Sequence, residues 1–115
     1  MIVLDTNVLS EALRPSPAET VLRWLAAQDP VAVFITAITQ AELLYEFPGR
    51  ILPFDEDSAR VSPKVVAHRD TVGRPISQFD AMIASICRSR GAAAATRNTS
   101  DFEHCGIPII DPWNE

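Results

Sequence analysis

Cysteine is scarce in this chain: there are two, Cys87 and Cys105, in no CxxC pair and in no spacing of the metal-ligating kind. That pattern argues against a thiolate metal site, leaves two small buried thiols as the expectation, and fits a reducing cytosol. Long hydrophobic runs are also missing. No window approaches the roughly 18 apolar residues of a membrane span. The first residues, MIVLDTN, meet an acid at position five and lack the basic start of a signal peptide. A cytoplasmic, soluble protein without a membrane association is expected. Positive charge is thin as well. Lys64 is the single lysine, and the net charge is −5 with a pI near 4.9. That balance disfavours broad, non-specific nucleic-acid binding. It leaves a nucleic-acid substrate open, because bound cations can invert a local field.

What is present is a core. Hydrophobic residues make up 47% of 115 residues, enough for one compact domain and too few for two. Met1 to Leu4 is a short continuous apolar run, as a buried parallel strand should be. Asp5-Thr6-Asn7 ends it and opens a short helix, Val8 to Leu13. Ser16, Pro17 and Glu19 have the pattern of a capping box with proline at the first helical position, predicting a helix to about Gln28 with Val21, Leu22, Trp24 and Leu25 on its apolar face. Val31 to Ile35 reads as a second strand. Thr39 to Glu42 repeats the capping-box pattern before Leu43, Leu44 and Phe47, and Pro48-Gly49 stops that helix. Ile51 to Phe54 is a weak third strand. Asp55 to about Val72 reads as a helix that Pro63 should kink or split. Ser77 starts the clearest helix, Gln78 to Arg90, with Phe79, Ile83 and Ile86 at helical spacing and Gly91 as its stop. Ala92 to Thr96 and Ile107 to Ile110 complete five strands. Strands alternating with helices imply an α/β fold built on a parallel sheet.

Four acids, Asp5, Glu42, Asp80 and Asp101, each stand where a strand-like run or loop gives way to a helix start. In an open parallel sheet, ligands bind beyond the carboxyl ends of the strands, and these four would converge there. Each acid taken alone also fits a helix cap or a first-turn charge that complements the helix dipole. Taken together, they fit a site for a hard divalent cation, with positions left open for a phosphodiester. Position alone leaves both readings open.

The residues around the acids go further. IVLDTNVLSE at the start, ITQAELLY around Glu42, GRPISQFDAMIA around Asp80 and ATRNTSDFEHCGIPIIDPW at the end resemble PIN-domain proteins, most nearly the VapC/FitB-type toxins of bacterial toxin–antitoxin pairs. The resemblance covers nearly the whole chain in order. It implies a three-layer α/β/α architecture with a five-stranded parallel sheet, and a single PIN-like domain over residues 1–115. It also implies an endoribonuclease that uses Mg²⁺ or Mn²⁺, with RNA as substrate, a VapB/FitA-like antitoxin as partner, and a homodimer. Carried over by position, Asp5, Glu42, Asp80 and Asp101 match the family's acidic quartet, as catalytic residues and metal ligands; Thr6, Thr96 and Asn98 match its supporting polar residues. On that reading Asp5 and Asp80 are the main ligands. Glu42 and Asp101 complete the site and help orient or deprotonate the attacking water.

One departure concerns the middle. The resemblance implies a further helical stretch after the helix of Glu42, whereas here Tyr45 leads almost directly into Pro48-Gly49-Arg50, so the domain is expected to be shortened between about residues 45 and 50. In the family that stretch contributes to the dimer surface, the antitoxin groove and a wall of the active site. The alternative function is therefore a catalytically silent PIN scaffold that binds a partner. A phosphotransfer domain with Asp5 phosphorylated is disfavoured: Asn7 stands where a second Asp would be needed, and no lysine follows a late strand. His68 and His104 are read as surface or packing residues, and Trp24, Phe79 and Trp113 as core or edge packing, with base stacking the lesser alternative for these three. Arg74, Arg88, Arg90 and Arg97 would either contact RNA phosphates or line a salt-bridged helix face.

Overall fold

In a computed structural model, residues 1–43 and 50–115 are described, the side chain of Leu43 excepted. Five strands form one parallel sheet in the order β3-β2-β1-β4-β5. They are β1 (Ile2–Leu4), β2 (Val33–Thr36), β3 (Ile51–Leu52), β4 (Ala93–Ala95) and β5 (Ile109–Ile110). The helices are α1 (Thr6–Ala12), α2 (Glu19–Ala26), α3 (Ala37–Leu43), α4 (Glu56–Thr71) and α5 (Gln78–Arg90). The carboxyl ends of all five strands therefore lie on one edge of the sheet. The expected shortening between residues 45 and 50 and the helix stop at Pro48-Gly49 lie largely outside the described residues.

The alternation of side chains along each strand builds three layers. Val3 and Ala94 face a core with Val65, Ile83, Ile86 and Phe102, beneath α4 and α5. Their neighbours Leu4 and Ala95 face the opposite core with Val8, Leu9, Val21 and Trp24, beneath α1 and α2. Small alanines in β4 let helices approach closely from both sides. Among the described residues, no helix is long and apolar enough to cross a membrane.

Local signals decide most helix ends. Ser77 Oγ accepts from the N–H of Asp80 at 3.2 Å, and Gly91 closes α5 in the left-handed conformation at φ 65°. Asp55 caps α4 by accepting from the N–H of Ser58. Helix α4 runs through Pro63 as one helix and is not split.

Three expectations need correction. Ser16 does not cap α2, which begins at Glu19 with Ala18 at its N-cap; Glu11, from α1, reaches across and its Oε2 accepts from the N–H of Ala18 at 3.0 Å. Helix α3 starts at Ala37, before Thr39, and it is Thr36 whose Oγ1 accepts from the N–H of Thr39 at 3.2 Å, so the Thr39–Glu42 capping box does not form. Pro30 to Ala32, at the start of the expected second strand, forms a 3₁₀ turn because Asp29 caps it and accepts from the N–H of Val31.

Candidate active site

Strand β1 is central in the sheet, so the residue that leaves it stands at the middle of the carboxyl edge. That residue is Asp5. Its side chain is 8% exposed and caps α1: Oδ1 accepts from the N–H of Thr6 at 2.9 Å. Oδ2 accepts from the Thr96 hydroxyl at 2.9 Å and from Asn7 Nδ2 at 3.1 Å. Thr96 leaves the neighbouring strand β4 and is fully buried. Its hydroxyl also accepts from the N–H of Asn98 at 3.1 Å, which holds the start of the next loop. Both carboxylate oxygens of Asp5 are thus fixed by donors from two adjacent strand ends.

The other three acids arrive from three further elements. Glu42 is exposed on α3, and its Oε1 accepts from the Thr6 hydroxyl at 3.3 Å. Asp80 is half-buried in the first turn of α5. Asp101 is half-buried in the 3₁₀ turn Thr99–Asp101 that follows β4. Asp5, Glu42, Asp80 and Asp101 line one cavity of about 640 Å³, together with Thr6 and Asn98. Of the residues singled out for the site, Thr96 alone lies beneath the cavity, holding Asp5 from below.

The electrostatics show how close the acids are. Burial pushes the Asp5 carboxyl above its ordinary value; the Thr96 and Thr6 bonds pull it back, and the charges of Glu42 and Asp101 push it up again. Burial also raises Asp80, opposed by Ser77, with Asp101 and Asp5 adding repulsion and Arg69 relieving it. Each of the four acids is therefore within electrostatic reach of at least one other. Among the described residues, no three His, Cys, Asp or Glu side chains are already grouped around a single ion position. A hard cation still fits this donor set, because Mg²⁺ usually takes one or two carboxylates and completes its shell with water and phosphate oxygens. Bound there, it would offset both the cost of burying Asp5 and Asp80 and their repulsion by the neighbouring carboxylates.

Several site residues had no signal in the sequence. Asn7 links the two halves: its Nδ2 donates to Asp5, and its Oδ1 accepts from the N–H of Arg97 at 3.1 Å. Arg69 is 5% exposed and positions Asp101 through the backbone. Its Nη1 donates to the carbonyls of Asp101 at 2.8 Å and Glu103 at 3.0 Å, while Nε donates to the carbonyl of Arg74. Phe79 departs from its expected packing role. It is 60% exposed and lines the cavity beside Asp80. Trp113 also lines the cavity, with the Arg97 guanidinium 5.2 Å from its ring centre. Arg74 and Arg90 are ion-paired, with Glu103 and Asp55 respectively, so only part of the expected arginine cluster is available to a substrate.

With this geometry in hand, comparison with known proteins is specific. Residues 2–48 match the PIN domain family model. A VapC ribonuclease, Y4jK of Sinorhizobium fredii, is 36% identical over 137 aligned positions that cover 98% of each chain. Toxin FitB of Neisseria gonorrhoeae is 35% identical over 139 positions, covering all of both chains. Among solved structures, the crystal structure of FitAcB from Neisseria gonorrhoeae contains a chain that superposes with a TM-score of 0.92 at 34% identity, with complete coverage of both. These alignments are longer than the 115 residues of this chain, so the relatives carry residues for which it has no counterpart.

Proposed function

The chain belongs to the PIN-domain family, in its VapC/FitB-type branch, and we propose that it is a metal-dependent endoribonuclease, the toxin of a toxin–antitoxin pair. The observation that carries this reading is the convergence of Asp5, Glu42, Asp80 and Asp101 on one cavity at the carboxyl edge of the sheet. The relatives' names, VapC ribonuclease and toxin FitB, support the reaction and the biological role.

Asp5 and Asp80 would hold the cation, Mg²⁺ or Mn²⁺, with Glu42 and Asp101 completing the site directly or through water. Bound there, it supplies a Lewis acid that draws charge from the phosphoryl oxygens and makes water easier to deprotonate. The chain does the positioning. Thr96, Thr6 and Asn7 fix Asp5, and Asn98 and Arg69 fix the loop that carries Asp101. Glu42 or Asp101 orients the attacking water and takes its proton as the new P–O bond forms and the old one breaks. Arg97 meets a phosphate of the strand, and the exposed face of Phe79 stacks on a base. No side-chain nucleophile is required.

The partners follow the family: an RNA substrate, a VapB/FitA-like antitoxin that neutralises the nuclease, and a second copy of the chain in a homodimer. We place the residues absent relative to the relatives between about positions 45 and 50. That shortening favours a second reading, a catalytically silent PIN scaffold that binds a partner. One assay separates the two. Purified chain and Asp5→Ala are incubated with single-stranded RNA, with Mg²⁺ or Mn²⁺ and with chelator. Cleavage that needs the metal and disappears in Asp5→Ala is expected. Full activity in Asp5→Ala would overturn the site, and an inert wild type that also binds no Mn²⁺ would favour the scaffold.

A further inference from the structure

A second cavity, of about 530 Å³, opens on the flank of α4 and α5 and is lined by Lys64, His68, Arg88, His104 and Gly106. Lys64 and His68 stand one turn apart on α4, Arg88 comes from the last turn of α5, and His104 from the loop after the 3₁₀ turn. The two imidazole rings are 6.3 Å apart, centre to centre. His104 has φ 63°, and among the described residues no other non-glycine residue has a positive φ. Gly106, at φ +77°, holds a left-handed backbone that favours glycine, and it lies against the Arg88 side chain.

Among the described residues, every side chain lining this cavity is an N–H donor, Lys64 and Arg88 are cationic, and no carboxylate lines it. Most other surface arginines are organised differently, Arg97 at the carboxylate cavity excepted. Arg14, Arg23, Arg60, Arg74 and Arg90 each have a carboxylate partner. Lys64 and Arg88 have no ion pair among the described residues, in a chain of net charge −5. A planar guanidinium fork, a point-charge ammonium and two imidazoles, all solvent-exposed, face this open hollow from three elements. That set suits a tetrahedral anion with several acceptor oxygens better than a flat carboxylate with two.

We propose that this cavity binds a phosphate group, presented either by an RNA strand or by a free phosphate or nucleotide. The site is separate from the carboxylates: Arg88 lies eight residues beyond Asp80 on α5, roughly 12 Å along the helix axis. The phosphate site itself does not rest on the nuclease reading.

The chain has two histidines and both line this cavity, so their ring Cε1–H NMR signals report on it, and the double alanine variant separates that report from binding at the carboxylates. Full-length chain, with Asp5→Asn to prevent cleavage, is titrated with inorganic phosphate at fixed pH, against chloride at matched ionic strength. Both signals should shift saturably with phosphate. Lys64→Ala/Arg88→Ala should weaken binding by roughly tenfold, and Lys64→Arg/Arg88→Lys should retain most of it. A single-stranded RNA with hydroxyl ends is the second arm. Shifts of the same signals assign the phosphate to a strand; shifts with phosphate alone assign it to a free anion. Signals that move no more with phosphate or RNA than with chloride, or that move equally in the double alanine variant, would overturn the proposal. Because the readout is binding, it stands or falls separately from RNA cleavage.

Discussion

Replacing Thr96 by valine keeps the shape of a fully buried side chain and removes one hydroxyl. That hydroxyl donates to Asp5 Oδ2 at 2.9 Å and accepts from the N–H of Asn98 at 3.1 Å. A hydrogen bond to a charged acceptor contributes about 1.5–3 kcal/mol, and a donor left without a partner adds to the loss, so Thr96→Val should destabilise the metal-free protein by roughly 2–3 kcal/mol. For a chain of this size the melting temperature should fall by roughly 10 °C. The second effect is on protonation. The Thr96 bond is the largest influence holding the Asp5 carboxyl down against burial. Without it Asp5 stays protonated to higher pH, so cation binding weakens and the acid limb of the pH–rate profile moves upward. Urea unfolding measures the first effect and RNA cleavage across pH the second. Thr96→Ser, which restores a hydroxyl, should recover most of both. Stability within 0.5 kcal/mol of wild type would refute the hydrogen-bond argument. A stability loss with an unmoved acid limb would reduce Thr96 to a packing residue.

Asp80 gives a pH prediction of definite sign. Its carboxyl is raised by burial, with repulsion from Asp101 and Asp5, so the folded chain holds that proton more tightly than the unfolded chain. This stability is fully present below the ordinary carboxylate range and is lost as pH rises through the raised value. From about pH 4 to neutrality, metal-free wild type should therefore lose stability relative to Asp80→Asn; thermal melts that run parallel for the two proteins would contradict this, and added Mn²⁺ should narrow the gap. Arg69→Met removes a buried cation that serves the carbonyls of Arg74, Asp101 and Glu103, and it should cost on the order of 3 kcal/mol while displacing Asp101 and lowering cleavage. Arg69→Lys should rescue little, since one ammonium cannot replace the planar fork; denaturation near wild type in Arg69→Met would sink this role.

What could be read from the sequence is what local chemistry decides. Helix α5 is bounded by Ser77 and Gly91, which act on their own neighbours, and both ends stand where those residues place them. Asp5 and Asp80 were legible for the same reason, since each stands at a helix start; Glu42, the sixth residue of α3, and Asp101, at the end of its 3₁₀ turn, do not, and it was the motifs around them that singled them out. Partnerships across long separations were not. Asn7 meets Arg97 across 90 positions because β1 pairs with β4, and Arg69 of α4 meets the loop of Asp101 across 32; neither pairing has a local signal. Phe79 was misplaced because helical spacing puts it in register with Ile83 and Ile86. The first turn of α5 reaches the cavity at the sheet edge, so the core that covers Ile83 and Ile86 does not cover Phe79. Ser16 failed as a cap because Glu11, in a different helix, supplies the acceptor.

The central claim is that the four carboxylates form one cation site. Its most direct test is a crystal of the full chain soaked in Mn²⁺ and measured near the manganese absorption edge. An anomalous peak between Asp5 and Asp80, with Glu42 and Asp101 close enough to contact it directly or through one water, is the predicted result. The absence of any peak in that cavity at saturating Mn²⁺, or a peak that persists there in Asp5→Ala/Asp80→Ala, would contradict the account.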